Sequence, residues 1–374
     1  MNCFKNLLLV IMGVIAMSGP TWGSWSSATG DQYISLLGGT YTIHAPALAA
    51  GPQGQLYCVW VQRVTISVIE VFFSKSTDNG QTWSGSSGDV QISPFNNVSV
   101  YNGGIFGDRR IDIAVDSEGR IFVIWPEKYA PTDSNDIMLV YSTDGGDTWV
   151  HSDYNFPISD TLHQGTANRP SIAVDHNDNI HVVWSQTDTV ASPKADVYYS
   201  RSTDHGVTWS GTNAEKLISY KDSSAFQAHI AVGPDNKIHV VWKEKNDANN
   251  NINYGVSTDG GNIFSSETAD RPVSSAFGTT SYGNPRITLS NTGIIHCIYT
   301  VNDSAYYLGS TDGGTNWNTI KIFDSQATYI YPLDIAVTSA GFAVAVLFDQ
   351  YAGSADSRGL FAIYSSNNGQ TWTT

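Results

Sequence analysis

The sequence contains few charged residues, and positive charge is especially scarce. Only 14% of its 374 residues are Asp, Glu, Lys or Arg, and the formal net charge is -15 at pH 7. No cluster of Lys or Arg is available to displace the counterions of a nucleic-acid backbone. The composition therefore excludes nucleic acid as a partner, and the negative charge mainly keeps the protein in solution.

Cysteine is almost absent, which excludes a framework of disulfides. Cys3 lies in the N-terminal segment, while Cys58 and Cys297 fall at equivalent positions of two repeats that are not adjacent. Such positions do not suit one disulfide, so we expect two buried free thiols. No spacing of His or Cys resembles a metal cage, so neither a metal nor another cofactor is predicted.

Long hydrophobic runs are absent except near the N-terminus. Lys5 precedes an apolar run over residues 7–16, and small or turn-forming residues follow it. The run is too short to span a bilayer and has the form of a signal peptide. We expect residues 1–23 to be removed and residues 24–374 to form one secreted or periplasmic domain, a monomer without a transmembrane segment.

An octet that occurs six times is the main feature of the sequence. Its copies are S-T-D-N-G-Q-T-W (76–83), S-T-D-G-G-D-T-W (142–149), S-T-D-H-G-V-T-W (202–209), S-T-D-G-G-N-I-F (257–264), S-T-D-G-G-T-N-W (310–317) and S-S-N-N-G-Q-T-W (365–372). Successive copies begin 53–66 residues apart, a length that suits one four-stranded antiparallel sheet. Ser and Asp can accept backbone N–H groups and Gly can adopt positive φ, so each octet is predicted to be a turn.

A pair of apolar runs precedes every octet. In the third repeat they cover residues 172–175 and 180–184, separated by a short polar turn, and the second run ends in Trp184. Apolar runs without strict alternation predict strands that are packed on both faces. The predicted order in each repeat is first strand, turn, second strand, loop, third strand, octet and outer strand.

The two ends of the chain predict how the sheets close. Only two residues follow Trp372, so the sixth repeat has no outer strand of its own, whereas residues 25–35 parallel residues 83–93. The sequence therefore predicts an all-β, six-bladed β-propeller of four-stranded antiparallel blades, closed by the N-terminal strand. An incomplete C-terminus is the alternative explanation.

The octets resemble the S-x-D-x-G-x-T-W Asp boxes of the sialidase superfamily, and the resemblance covers essentially residues 24–374. It implies a six-bladed propeller with a ligand site on the face opposite the Asp boxes. Sialidases of this family hold the substrate carboxylate with three arginines and use a Tyr nucleophile, a Glu that activates it and an Asp acid/base. Guanidinium groups suit a carboxylate, and a phenol suits attack beside a negatively charged sugar.

The resemblance assigns residues to these roles in part. Arg109 matches the first arginine within R-R-I-D-I, although the family's Pro is replaced, and Tyr331 lies near the family's tyrosine. Asp112 is the predicted acid/base. The predicted substrate-binding residues are Arg110, Arg169, His229, Lys243 and Arg286. Phe226 and Gln227 stand where the Glu is expected, which removes the usual activation of the nucleophile.

Two principal functions are compatible with the sequence. The first is a sialidase-like protein that acts on or binds glycans or glycoconjugates, with exo-α-sialidase chemistry through Arg109, Tyr331 and a nearby Asp. The second is a non-catalytic propeller that binds carbohydrate or protein at the cell surface, which the incomplete catalytic set favours. A purely structural envelope protein is a third alternative, because the fold alone does not assign a reaction.

Overall fold

The computed structural model describes residues 34–35, 43–65, 68–86, 89–94, 111–129, 134–154, 156–161, 165–189, 192–212, 215–220, 223–245, 250–269, 271–277, 283–324, 329–350 and 358–373. Strands make up the regular structure in these ranges, with one 3-10 helix at Ser84–Ser86. No helix in the described part of the chain is long and apolar enough to cross a membrane. Residues 1–23, the predicted signal peptide, lie outside it.

The described residues group into two compact units, Ser27–Lys216 and a second unit that contains Leu217–Thr374. Each unit contains three antiparallel sheets in chain order. Hydrogen bonds join each strand to the next along the chain, which is the predicted order of first, second and third strand.

Three sheets belong to the first unit. The first sheet contains β1 (Ile43–Ala50), β2 (Leu56–Arg63), β3 (Ile69–Ser76) and β4 (Val90–Gln91). The second contains β5 (Asp112–Val115), β6 (Ile121–Tyr129) and β7 (Ser134–Ser142). The third contains β8 (Ala167–Val174), β9 (Ile180–Thr189), β10 (Ser192–Ser202) and β11 (Lys216–Leu217), the last at the boundary of the unit.

Three further sheets belong to the second unit. The fourth sheet contains β12 (Ser224–Val232), β13 (Ile238–Lys245) and β14 (Asn250–Ser257). The fifth contains β15 (Gly283–Leu289), β16 (Ile295–Val301), β17 (Ser304–Ser310) and β18 (Asn318–Asp324). The sixth contains β19 (Tyr329–Val337), β20 (Ala343–Gln350) and β21 (Arg358–Ser365).

The outer strand is less regular than the sequence predicts. The first, third and fifth sheets have four strands, whereas the second, fourth and sixth have three. In those three sheets the outer segment pairs only through isolated bridges, such as Tyr141 with Val150 and Tyr364 with Thr373. The outer segment has few buried apolar residues to hold it in register, so local turns interrupt the ladder. Six propeller-like antiparallel sheets are present, while the number of blades and their closure stay predictions.

The second strands form the cores of the sheets. All but the last residue of β2 and of β16 are buried, as the apolar runs predict. Four tryptophans of these strands are fully buried: Trp60, Trp125, Trp184 and Trp242. Each indole N–H donates to the Gln or Glu side chain two residues further on, at 3.1, 2.7, 2.9 and 2.5 Å. Burial of the polar indole nitrogen is thereby compensated.

Each octet forms the predicted turn, and the second copy shows its hydrogen bonds. Ser142 Oγ donates to Asp144 Oδ1 at 2.8 Å and accepts from the N–H of Gly146 at 2.8 Å. Thr148 donates its backbone N–H and its hydroxyl to Asp144 at 2.9 and 2.6 Å. These donors lower the pKa of Asp144 to about 2. In the sixth copy Asn367 Oδ1 accepts the backbone N–H of Thr371 at 2.9 Å, while Asn367 Nδ2 donates to the Thr371 hydroxyl at 2.8 Å, so the side-chain hydrogen bond is reversed.

Residues 34–35 contact the first sheet in the way that the outer segment of one repeat contacts the sheet of the next repeat. The carbonyl oxygen of Ile34 lies against Gly85, and Ser35 Oγ donates to Asp89 Oδ2 at 2.7 Å. The carbonyl of Ile158, in the outer segment of the second repeat, lies against Gly211 of the third in the same way. Residues 24–33, the rest of the predicted closing strand, lie outside the described residues.

Both described cysteines are buried free thiols, as predicted. Cys58 lies in β2 and Cys297 in β16, at equivalent positions of their sheets. Burial raises the pKa of each thiol, which keeps the group protonated and unreactive.

Candidate functional site

The first strands of four sheets begin with a β-bulge. The register with the second strand shifts there, and one residue of the bulge has positive φ. These residues are Ala45 (φ 48°), Arg169 (φ 54°), Gln227 (φ 61°) and Asn284 (φ 42°). A left-handed conformation costs a non-glycine residue about 1 kcal/mol. Such strain is concentrated at functional sites, where the surrounding structure maintains it.

One position near the start of the first strands carries mostly polar side chains. Its members pair with the buried residue that precedes the last residue of each second-strand run, which is aromatic in the first five sheets and Leu347 in the sixth. They are Ala47, Asp112, Ser171, His229, Arg286 and Asp334. This position is called the first-strand polar position. All of its members except Ala47 are polar, so the start of the first strands is the candidate site in each unit.

Asp112 links two sheets of the unit Ser27–Lys216. Its Oδ2 accepts the hydroxyl of Ser171 and the backbone N–H of Ile172, both at 3.1 Å. Its Oδ1 accepts the N–H of Ile113 at 3.1 Å. The carboxylate is buried and holds β5 against β8, which is a structural use of the side chain. Its predicted acid/base role stays a prediction.

His229 and Arg286 link the sheets of the second unit in a similar way. His229 Nδ1 accepts the backbone N–H of Ile287 at 3.4 Å, so the proton of the neutral imidazole lies on Nε2. Arg286 donates from Nε to the carbonyl of Leu333 at 3.3 Å and from Nη1 to its neighbour Pro285 at 3.0 Å. The Arg286 side chain is only 5% exposed, so these contacts fix the direction of the guanidinium group.

Tyr331 lies on β19, two residues before the carbonyl that accepts from Arg286. Its side chain is buried, and its ring centroid is 6.4 Å from that of Phe348. The backbone N–H of Asn284 donates to Gln227 Oε1 at 3.0 Å, which joins the bulges of β12 and β15. The structure thus brings His229, Arg286 and Tyr331 onto three consecutive sheets of one unit.

Lys243 and Arg169 also lie at strand ends near the bulges. An added Cβ on Gly283 would be 2.9 Å from Lys243 Cδ, so this glycine leaves room for the lysine side chain. Arg169 is the bulge residue of β8, in the unit Ser27–Lys216. Arg109 and Arg110 lie outside the described residues, and their predicted roles stay predictions. Within the described ranges no group of three His, Cys, Asp or Glu could hold a metal ion.

The sequence reasoning missed the strained bulges and the role of Ser171. A signal for the bulges was present, because Ala45, Arg169 and Asn284 each precede a proline at the same position of their repeats. Proline restricts the residue before it and lacks an N–H for the ladder, so a recurring Xaa-Pro at a strand start indicates a bulge.

A model of a known protein family matches the sequence and agrees with this architecture. A family model described as a BNR repeat-like domain matches residues 25–232, more than half of the chain. The fold and the Asp boxes define a sialidase-like repeat protein. The chain belongs to the BNR repeat-like family.

Solved structures of glycan-acting enzymes share the fold. The Hadza microbial sialidase Hz136 matches with a TM-score of 0.57 and 15% identity over 83% of this chain, which spans 63% of the sialidase. The Penicillium chrysogenum alpha-L-arabinanase complexed with arabinobiose matches with a TM-score of 0.56, 14% identity and coverage of 86% and 92%. The intramolecular trans-sialidase from Ruminococcus gnavus matches with a TM-score of 0.55, 13% identity and coverage of 85% and 92%. No curated protein matches the sequence.

Proposed function

We propose that this protein acts on or binds glycans at the starts of its first strands, with binding as the primary role. The strained bulges carry the proposal, because in three sheets they precede a polar residue of the first-strand polar position, which is Ser171, His229 or Arg286. Backbone strain of this kind is concentrated at functional sites. The glycan-acting enzymes that share the fold support a sugar as the ligand.

Arg286 is the proposed anchor for an acidic sugar. Backbone carbonyls fix two of its donor groups, so the guanidinium is oriented before a ligand arrives. A guanidinium group suits a sugar carboxylate, and His229 and Tyr331 lie on the flanking sheets. The net charge of -15 disfavours a polyanion, so we propose a single acidic residue within an otherwise neutral glycan.

Exo-sialidase hydrolysis through Arg109, Tyr331 and Asp112 is the second candidate. Tyr331 favours it, because the tyrosine lies one sheet from Arg286 within the same unit. The three hydrogen bonds to Asp112 favour binding without hydrolysis, since this carboxylate is already occupied by two backbone N–H groups and the Ser171 hydroxyl. We further propose that the protein is exported by residues 1–23 and meets its glycan outside the cytoplasm, where a cell-surface protein is the alternative partner.

A glycan array with the purified protein tests the proposal. We expect binding to sialylated or other acidic glycans, with Arg286→Gln raising Kd about tenfold or more through the loss of a charge-assisted hydrogen bond. Arg271→Gln is the matched control, because Arg271 donates to Ser265 after the octet of the same unit. Unfolding curves check that each variant folds, and Tyr331→Phe is the second variant. An array without signal, or equal binding by Arg286→Gln, contradicts the proposal.

Hydrolysis of a fluorogenic sialoside separates the two candidates. Turnover that disappears in both Arg109→Ala and Tyr331→Phe would establish the exo-sialidase. Glycan binding without turnover would establish the binding protein.

A further inference from the structure

We propose that the outer edge of the second sheet carries an accessory carbohydrate-binding site, formed by the rings of Tyr141, His151, Tyr154 and Phe156. These four residues are called the aromatic platform. The platform follows the second octet, at the opposite edge of the sheet from β5 and Asp112, and takes the flat face of a neutral sugar ring.

The rings of the platform hold one another in place. The imidazole of His151 lies 4.0 Å from the ring of Phe156, with 3° between their planes. Tyr141 and Tyr154 meet the imidazole edge-on at 5.6 and 5.0 Å. The Tyr154 hydroxyl is hydrogen-bonded to His151 Nδ1 at 2.5 Å, yet the tyrosine is 51% exposed. The platform is therefore ordered and open to solvent, as a stacking surface requires.

The second repeat departs from its neighbours at this point. After the first, third and fourth octets, a serine Oγ accepts a backbone N–H of the third strand at 3.0, 2.9 and 3.1 Å; these serines are Ser84, Ser210 and Ser265. Val150 replaces the serine, and the third-strand N–H of Tyr141 donates instead to the Val150 carbonyl at 3.4 Å. His151, the next residue, lies beside the ring of Tyr141.

The backbone at His151 is strained. Its φ is 70°, in the left-handed region that histidine adopts only occasionally. Strain of this kind persists where the surroundings hold it, and it is frequent at ligand sites. The three rings packed around His151 supply those surroundings.

The charge of the platform indicates a neutral sugar. Burial lowers the pKa of His151, so its imidazole is uncharged at neutral pH. The C–H groups on one face of a sugar ring carry partial positive charge and suit the negative face of an aromatic ring. Asp153 lies between His151 and Tyr154 in the chain and is exposed, so its carboxylate would repel an acidic sugar.

The size of the platform disfavours a protein partner. A standard protein interface buries about 800 Å² on each side, whereas one half-exposed tyrosine with three partly buried rings offers the footprint of one or two sugar units. The preference for a glycan over another ring-bearing ligand rests on the proposed function.

Affinity electrophoresis of the full chain tests the site, in gels that contain soluble arabinan, galactan or xyloglucan. We expect at least one neutral polysaccharide to retard the wild type, and Tyr154→Ala to bind about tenfold more weakly because the stacking surface is lost. Tyr154→Phe should keep most of the retardation, since the ring remains. Tyr220→Ala is the matched control, because Tyr220 is an exposed tyrosine of another repeat.

The outcomes separate this site from the first-strand polar position. Retardation that Tyr154→Ala loses and Arg286→Gln keeps supports the platform, whatever the glycan array shows. Loss in Arg286→Gln alone assigns the binding to the first-strand site and overturns the platform. The proposed platform is also overturned if no gel retards the wild type, or if Tyr154→Ala is retarded as strongly as the wild type.

Discussion

The two units contain the same repeat, but the buried carboxyl and imidazole groups whose pKa values are shifted differ between them. In the unit Ser27–Lys216, the residue before Val71 is Glu70 and the residue before Ile137 is Asp136, and both carboxyl groups are buried. In the second unit, Asn251 stands at this position before Ile252. The outer-segment serines of the first unit donate to the acids, from Ser93 to Glu70 at 2.5 Å and from Ser159 to Asp136 at 3.0 Å.

Burial changes the acidity of these carboxyl groups. It raises the pKa of Glu70 to about 7, with Glu127 adding to the rise, and that of Asp136 to about 6, with Asp160 adding to it. Burial also raises the pKa of Glu215, at the edge of the same unit, to about 7. These three groups bind more protons in the folded unit than in the unfolded chain, so the stability that they contribute is complete below pH 4 and is lost as the pH rises through 6 to 7.

The second unit buries two histidines at the second-strand position that His181 occupies in the first unit. His239 and His296 lie in the second strands and are hydrogen-bonded through Nδ1 to Tyr254 and Tyr307 at 2.7 and 2.9 Å. Burial lowers the pKa of both imidazoles to about 4. Stability from these groups is complete above pH 6.5 and is lost as the pH falls towards 4. As the pH falls, the buried carboxyl groups of the first unit and the two buried imidazoles of the second should thus change stability in opposite directions.

The largest expected effect concerns a feature that the units share. Gly146 and Gly314 have φ of 88°, and a Cβ at either would overlap an aromatic ring of the preceding sheet, Phe73 or Tyr254. Gly146→Ala and Gly314→Ala should each lower the free energy of unfolding by about 4 kcal/mol, through strain and overpacking. Chemical denaturation measures the loss.

Gly145→Asn is the control for this pair of substitutions. Gly145 has φ of 71° and no atom closer than 3.9 Å to an added Cβ, and Asn79 already occupies the same octet position. Its stability should equal that of the wild type within about 0.5 kcal/mol. A large loss for Gly145→Asn, or none for Gly146→Ala, would show that the octets do not pack as described.

The next largest effect concerns the acid sensitivity of the second unit, which a double variant should reduce. His239→Phe combined with Tyr254→Phe removes the titrating group and the hydroxyl that it bonds. Protonation of His239 in the wild type should cost about 3 kcal/mol between pH 6.5 and 4, because burial lowers its pKa to about 4. Hydrogen exchange of β13 and β14, corrected for its intrinsic pH dependence, should rise in acid in the wild type and less in the double variant.

His205→Asn serves as the control for that experiment. His205 is exposed at the octet position that Asn79 fills in the first repeat. If His205→Asn removes the acid sensitivity as fully as the double variant does, the assignment to His239 is contradicted.

The smallest effect concerns the first unit at alkaline pH. Glu70→Gln keeps the hydrogen bond from Ser93 without the charge, so it should raise stability at pH 8 by about 2 kcal/mol and leave it unchanged or lower at pH 4. Glu118→Gln is the control, because its side chain is exposed and pairs only with Arg120 in a surface contact, worth less than about 1 kcal/mol. A gain that is equal at both pH values would rule out the ionisation of Glu70 as its cause.

Much of the fold could be predicted because its signals are local. The octets contain their own hydrogen-bond partners, as Ser142, Asp144 and Thr148 show, so the turn follows from eight consecutive residues. The predicted apolar run 180–184 likewise falls within β9. The candidate site could be predicted only in part, because the direction of Arg286 depends on the carbonyl of Leu333, 47 residues away.

The repeat, the order of the strands and the two free thiols could be inferred without a structure, since each depends on turn chemistry or on apolar runs within one repeat. Which polar residues are buried, and with which partners, depends on how the sheets pack. Glu70 and Glu118 are the same residue type, and only the contacts of the folded sheets bury Glu70 and raise its pKa while Glu118 stays exposed. Burial and charge interactions arise between residues that are distant in the chain, so their consequences for pKa and strain come only with packing.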